Sequence, residues 1–348
     1  MTPNGTETIR GNDGLPLVSV VMPVRNEAAF IVRTLKSVLA QDYPPDRLEI
    51  LVADGMSDDG TREILARNAE EDARLRVLDN PGRIQSTGLN IAIRAARGSI
   101  VIRVDGHAEI ATDFISRNLQ VLREHPETWS VGGPIVHTAR TPTGKAIAVA
   151  MSHPLGVGNA RHRFDRYEGY AEGVAFPAIH RWVFDRIGYF DERLTRSEDD
   201  EFNYRIHLAG GRVWVSPRIR HKYFVRERLC DLFRQYAQYG FWKVPVIRKH
   251  RRLPTVRQVV PALFFLCWPA MMVAGMGIGQ TWLGAVLPLL YAAALVIAGL
   301  ASVPFHGWAI ACRLPLAMAT MHGAYAAGFL ASCWAWAFRP SLWNPSGQ

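Results

Sequence analysis

A mostly parallel, doubly wound α/β sheet with helices on both faces, followed by apolar C-terminal helices of transmembrane length, is the fold this sequence predicts. Three observations carry it. Residues 17–110 alternate strand and helix patterns three times and close on a fourth strand, with short connections. Acidic or amide side chains end three of those strands, at Asn26-Glu27, Asp54 and Asp105, on the edge where open α/β sheets bind ligands. From residue 259 to residue 338 the sole formal charge is Arg313.

The elements follow in order. Residues 1–16 are polar and Gly-rich, and read as a flexible lead. Residues 18–24 (Val-Ser-Val-Val-Met-Pro-Val) form an apolar, β-branched first strand. Residues 28–40 place Phe30, Ile31, Leu35, Val38 and Leu39 at helical spacing, and Asp42-Tyr43-Pro44-Pro45 stops that helix. A second strand runs over 48–53 into Asp54. Asp58 or Asp59 is placed to cap a second helix over 61–71. Residues 75–78 read as a third strand, 86–97 as a third helix ended by Gly98, and 100–104 as the fourth strand, which delivers Asp105. Residues 132–180 show no clean period, and a loop-rich antiparallel extension is expected there; His153, Arg161 and His162 read as solvated loop residues.

The formal charge of +9 invites a nucleic-acid reading, but its distribution opposes one. Nine basic and no acidic residues follow Asp231, so residues 1–231 carry 31 of each sign and are formally neutral. The excess gathers between Arg248 and Arg257, directly before three uncharged stretches at 259–279, 282–303 and 314–338. Each reaches the roughly 20 residues needed to cross a bilayer as a helix. About three spans are therefore expected, in a multi-pass cytoplasmic-membrane protein whose preceding region is cytoplasmic by the positive-inside rule. Cys230, Cys267, Cys312 and Cys333 have neither metal nor disulfide spacing, which suits a reducing compartment. Two motifs carry nothing: Gly275-Met-Gly-Ile-Gly279 has no strand before it, and Asn4-Gly5-Thr6 is a sequon on a cytoplasmic tail.

Asp105-Gly-His107 taken alone reads as a turn far more often than as a metal site. Its neighbours give it context. Val18-Ser-Val-Val-Met-Pro-Val-Arg-Asn-Glu27, Glu49-Ile-Leu-Val-Ala-Asp-Gly-Met-Ser-Asp-Asp-Gly-Thr61, Arg103-Val-Asp-Gly-His107, Gly188-Tyr-Phe-Asp-Glu192 and Ser197-Glu-Asp-Asp-Glu201 occur in an order that resembles family 2 glycosyltransferases of the GT-A fold. The resemblance covers about residues 17–245. The Asn80-Pro-Gly-Arg83 and Asp-Gly-His-Ala wording is similar to exopolysaccharide glycosyltransferases of the succinoglycan type.

Carried over, the resemblance implies a nucleotide-sugar pocket lined by Pro23, Arg25, Asn26, Glu27, Asp54, Arg83 and Asp105, with Asp54 accepting from the N3–H of a uracil-like base. It implies a divalent cation, Mn²⁺ or Mg²⁺, on Asp105. His107 stands where a second Asp is usual; it is a metal ligand, better suited to Mn²⁺, or else an imidazolium facing a phosphate. Glu109 reads as a spare, solvent-facing carboxylate. Asp199 is placed as general base and Glu198 as the residue that orients the acceptor, whose hydroxyl must lose a proton as it attacks. Asp200 and Glu201 need no more than the helix dipole to explain them. Arg226, Arg234, Gln235 and Trp242 lie in a basic, aromatic segment that is either an interfacial helix or a contact to the acceptor or pyrophosphate; it does not reproduce the Gln-x-x-Arg-Trp of processive synthases.

The implied domains are a catalytic domain over 17–245 (nucleotide half 17–110, acceptor half 111–220), interfacial basic helices over 221–257, a membrane domain over 258–338 and a tail over 339–348. The implied activity is that of a membrane-anchored, inverting enzyme moving a sugar from a nucleotide diphosphate-sugar to a lipid-linked saccharide. Membrane lipid and other polysaccharide-assembly proteins are its implied partners. Transfer to a polyprenyl phosphate is the alternative acceptor. A transporter with a nucleotide-binding domain is disfavoured, since the apolar region offers only Arg313, His306 and His322 as ionisable groups of the kind a transport path uses.

Overall fold

The computed structural model describes residues 14–252 and 255–338. Most of the expected flexible lead, the sequon and the whole 339–348 tail lie outside the described residues, as do Leu253 and Pro254 of the basic stretch. The chain divides into two compact units, one formed by residues 1–136 with 161–223 and the other by 137–160 with 224–348.

The first unit begins with β1 (Val18–Val24), α1 (Ile31–Leu39), β2 (Leu48–Asp54), α2 (Thr61–Glu71), β3 (Leu75–Asp79), α3 (Gln85–Ala95), β4 (Ile100–Arg103), β5 (Glu109–Ile110), α4 (Phe114–Glu124) and β6 (Ser130–Gly133). The stretch 137–160, part of the second unit, carries β7 (His137–Thr138), α5 (Pro142–Ala150) and α6 (Pro154–Val157). The first unit then resumes with β8 (Gly169–Tyr170), β9 (Ala175–His180), α7 (Arg181–Ile187), α8 (Glu198–Leu208), β10 (Val213–Val215) and β11 (His221–Phe224).

Eight strands form one sheet in the order β3-β2-β1-β4-β9-β6-β10-β8. β3, β2, β1 and β4 are mutually parallel, and β9 runs antiparallel between β4 and β6. Alternate residues of β1 feed two cores. Val18, Val20 and Met22 pack with α1, α2 and α4, whereas Val21 packs with Leu51 and Ala53 against α3, α7 and α8. Both faces are therefore covered, which is why β1 and β2 read as mostly apolar, interrupted by the buried Ser19–Glu49 pair.

The turns obey local chemistry that the pattern understates. Gly60, not an aspartate, is the N-cap of α2, with φ 96°. Asp59 still helps, accepting from the Thr61 amide at 3.1 Å and its hydroxyl at 2.5 Å, while Asp58 turns away to Asn26. Gly98 stands three residues past α3, and a Cβ there would come within 2.7 Å of backbone atoms of Leu17 and Ser19; the glycine admits β1 rather than capping the helix. Residues 142–150, expected as loop, form α5, started by Pro142 and capped by Thr141, whose hydroxyl accepts from Gly144 N at 3.0 Å.

The second unit continues through α9 (Leu229–His250), α10 (Val260–Gly277), α11 (Leu283–His306), α12 (Trp308–Ala311) and α13 (Leu314–Phe338). Among the described residues two helices, α10 and α11, are long and apolar enough to cross a membrane. The third expected stretch forms α13, 25 uncharged residues interrupted by Thr320, His322 and Tyr325. It packs along α9. A Cβ on Gly240 would lie 2.0 Å from the Tyr325 carbonyl oxygen, and one on Gly328 would lie 1.9 Å from that of Ala237, so the two backbones nearly touch.

Candidate active site

Three parallel strands end side by side, and the chain after each passes through a left-handed, non-glycine residue: Asn26 after β1, Met56 after β2 and Arg83 after β3, with φ of 54°, 56° and 57°. Such backbone is costly and is retained where the surroundings hold it. Here the loops hold one another. Asn26 N donates to Ser57 Oγ at 2.9 Å, its side chain exchanges hydrogen bonds with Asp58, and Glu27 N donates to Thr61 Oγ1 at 2.9 Å. Arg25 lies across Gly55 and donates to the Arg83 carbonyl at 3.3 Å. Pro23 is half-buried against α3, where a Cβ on Gly88 would meet it at 3.3 Å.

Asp54 is fully buried at the end of β2. Its oxygens accept from Ser57 Oγ at 2.6 Å, Ser57 N at 3.1 Å and Arg62 Nη1 at 2.9 Å, and Arg62 also reaches Asp79 at 2.7 Å. Asp79 is the in-register neighbour of Asp54 on β3. Arg62 thus clips two adjacent strand ends together. The motif pattern had no signal for Arg62 or Asp79, whose partnership depends on strand register.

Asp105 follows β4. Arg103 grips it with Nε at 2.8 Å from Oδ1 and Nη2 at 3.3 Å from Oδ2, and Gln85 adds a contact at 3.3 Å. Burial opposes ionisation of Asp105, but Arg103, with His107 and Arg196, outweighs it and holds the carboxyl below its ordinary value. His107 Nδ1 sits 2.8 Å from Glu27 Oε1, and its ring meets Phe30 and Tyr223 edge-on. Glu27 therefore orients that imidazole. Glu109, expected to face solvent, is 21% exposed and ion-paired with Arg33 and with Lys222, the latter at 3.8 Å.

The acidic run opens α8. All four acids fall in its first turn after Ser197, itself left-handed at φ 61°. They divide sharply in environment. Asp199 is exposed, with Oδ1 accepting from Asp200 N at 2.8 Å. Glu198 is 3% exposed; burial first, and the charge of Asp199 second, push its carboxyl up to about 7, against the pull of Arg103 at 3.5 Å. Glu201, expected to need only the helix dipole, is wholly buried and bidentate with Arg205 at 3.0 Å, whose other nitrogens take the carbonyls of Ile187, Gly188 and Tyr189. That corrects Glu201 to a structural role: it anchors the arginine that closes the turn before α8.

His221 is a residue the sequence reading passed over. It is 3% exposed, packed edge-on against Phe114 and Phe176, and among the described residues neither ring nitrogen has a hydrogen-bond partner. Burial pushes its pKa down to about 4, although the charge of Asp105 reaches it and opposes the shift. Its only sequence signal was a lone histidine after a short strand pattern.

Arg226, Arg234, Gln235 and Trp242 belong to the second unit. Arg226 is exposed, Arg234 pairs with Asp231 at 3.2 Å, Gln235 donates to the Tyr239 hydroxyl at 3.0 Å, and Trp242 meets Phe241 edge-on.

The family model for glycosyl transferase family 2 matches residues 19–173. The succinoglycan biosynthesis protein ExoA of Rhizobium meliloti is 32% identical over 335 residues, covering 89% of this chain and 93% of its own. A dolichyl N-acetyl-α-D-glucosaminyl phosphate 3-β-D-2,3-diacetamido-2,3-dideoxy-β-D-glucuronosyltransferase of Methanococcus voltae is 26% identical over 67% of this chain and 74% of its own. A mannosyltransferase of Pyrobaculum calidifontis, solved in complex with GDP-Man and Mn²⁺, superposes with a TM-score of 0.60 at 22% identity, over 92% of this chain and 87% of that one. The fold is thus GT-A, as expected. With a relative alike across nearly its whole length, the chain belongs to the family 2 glycosyltransferases.

Proposed function

We propose that this enzyme moves a sugar from a nucleotide diphosphate-sugar, UDP-linked, to a lipid-linked saccharide in cell-surface polysaccharide synthesis, with inversion at the anomeric carbon. The observation that carries the reading is the pairing of a near-full-length succinoglycan-biosynthesis relative with two carboxylate centres, Asp105 and Glu198-Asp199, joined by one buried arginine.

The donor side is the strand-end rim. Asp54 is buried and already ordered by Ser57 and Arg62, so a base N–H meets a fixed acceptor. Arg25 and Arg83 are the exposed cations of that rim, suited to phosphate oxygens. Among the described residues no group of three or more His, Cys, Asp or Glu side chains closes around a point. The donor chemistry nevertheless fits a divalent cation. Asp105 supplies carboxylate oxygens, His107 is held by Glu27 as metal-binding imidazoles are held by second carboxylates, and His221 keeps two orphaned ring nitrogens in the interior. A mixed oxygen and imidazole set favours Mn²⁺ over Mg²⁺. When bound, such a cation neutralises charge on the leaving diphosphate.

On the acceptor side, Asp199 is the exposed acid and takes the proton of the attacking hydroxyl. Glu198, buried and biased toward its protonated form, orients that hydroxyl by hydrogen bonding. A single base acting in one in-line displacement leaves an inverted centre. α10 and α11 keep the enzyme at a membrane, and the basic residues from 248 onward face anionic headgroups, each contributing on the order of 1 kcal/mol. That places the enzyme beside an acceptor confined to the bilayer. Polyprenyl phosphate itself is the second reading for the acceptor; the name of the Methanococcus relative, whose acceptor is a sugar already carried on dolichyl phosphate, supports the lipid-linked saccharide.

The test measures nucleoside diphosphate release by the full chain in membranes with Mn²⁺, a panel of nucleotide sugars and native lipid extract. Asp199→Asn should lower transfer at least 100-fold while nucleotide binding is kept. Unchanged turnover in that variant removes the base assignment, and release with GDP-sugars alone removes the UDP assignment.

A further inference from the structure

Arg103 meets both acid centres. Its guanidinium is bidentate on Asp105 at 2.8 and 3.3 Å, and the same group lies 3.5 Å from Glu198. Its side chain is 11% exposed, those of Asp105 and Glu198 are 16% and 5%, and the charge of Asp199 also reaches it. One cation thus serves three acids, two of them directly. The bidentate fork engages both oxygens of the carboxylate that the donor reading gives to the metal, so a metal ion on Asp105 must share that carboxylate with the arginine or displace it. An ion arriving alone meets the guanidinium's positive charge at close range in a site little exposed to water, where charge repulsion is weakly screened. An ion arriving with a diphosphate brings compensating negative charge.

Resting on that donor reading, we propose that Arg103 is a positioning residue that couples the two halves of the site. Paired with Asp105, it holds the carboxylate against a bare cation. When a cation–diphosphate claims Asp105, the guanidinium passes to Glu198 and sets the orientation of that residue beside Asp199. Cation and nucleotide therefore bind together, and the acceptor side becomes organised after the donor has arrived. The hand-over needs only a side-chain rearrangement, since Arg103 Nη1 already lies at ion-pair distance from Glu198.

The experiment uses the full chain in detergent and three proteins: wild type, Arg103→Gln and Arg103→Lys. Binding of Mn²⁺ alone is read from the resonance of the free ion, then repeated with UDP and with GDP, and melting curves confirm folding. Arg103→Gln is expected to bind Mn²⁺ alone at least tenfold more tightly than wild type, with kcat lowered at least tenfold and donor KM little changed. Arg103→Lys, which keeps the charge but not the fork, should fall between the two in both readouts. A purely structural arginine would instead lose cation and nucleotide affinity together. If folded Arg103→Gln binds Mn²⁺ alone no more tightly than wild type, the inference is wrong; if that variant does not fold, an Arg103→Lys protein identical to wild type in both readouts overturns it equally. Should wild type bind neither nucleotide in a cation-dependent way, the donor reading falls and takes this inference with it. Cation-dependent nucleotide binding alongside an unaltered Arg103→Gln overturns the inference alone.

Discussion

Glu49 and Glu198 are both carboxylates taken out of water, and their environments push them in opposite directions. Burial works against the charge of Glu49, but Ser19 Oγ at 2.6 Å and the Arg97 amide and guanidinium at 2.6 and 3.0 Å outweigh it, and its pKa falls. Against burial Glu198 has Arg103, shared with Asp105, and a backbone hydrogen bond; burial and the charge of Asp199 prevail, so its pKa rises to about 7. The sign of the consequence follows from linkage. A carboxyl with a raised folded pKa binds more protons folded than unfolded between about 4.5 and 7, so the native state loses stability as pH rises through that window. Glu198→Gln, which carries no charge to bury, should therefore stabilise the protein at pH 8, by on the order of 3 kcal/mol at most, and have little effect at pH 4. Thermal unfolding of both proteins at the two pH values checks this; equal shifts at both would show that Glu198 carries no such penalty. A stability gain accompanied by lost turnover would mark a residue kept for chemistry.

At the scale of elements, the strands were legible because burial on both faces leaves a one-dimensional signature. β1 begins and ends where the apolar run 18–24 does, and α2 spans the expected 61–71. The misreadings arose where a residue answers to a neighbour distant in sequence. Gly98 looked like a helix stop and is a close approach to β1; Glu201 looked like a solvated dipole partner and is locked to Arg205. α13 shows the same dependence: Gly328 lets α9 lie against it, with Gly240 the matching residue on α9. Gly240→Val or Gly328→Val should force the two helices apart, because the new side chain would meet backbone that cannot move away by rotamer change. A loss of at least ~3 kcal/mol is expected, read as a lowered melting temperature and faster proteolysis within 229–250. A wild-type melting curve for both variants would refute the close packing.

For the whole molecule, the charge and apolar patterns predict how the chain meets a membrane. If α10 and α11 hold it there, attachment rests on buried apolar area and outlasts charge screening. Washing membranes with molar salt should leave the full chain in the pellet, whereas a chain held by its basic residues alone would be released. The same division of labour runs through the catalytic side. Neutral overall charge on residues 1–231 excluded a polyanion-binding face, and the ordered acid motifs identified the family.

The sequence by itself determined the sheet, its strand ends and the acids carried there, because apolar periodicity and turn chemistry act over a few residues at a time. Asp54 and Asp105 could be named as strand-end acids for that reason, whereas Glu198 and Asp199 were named from the family resemblance. Tertiary structure alone decided which charges share a partner. Arg103 between Asp105 and Glu198, Arg62 between Asp54 and Asp79, Glu27 on His107 and the orphaned ring of His221 all depend on strand register and burial. Electrostatic environment is a property of three-dimensional neighbours, and a linear pattern of residue types does not contain it.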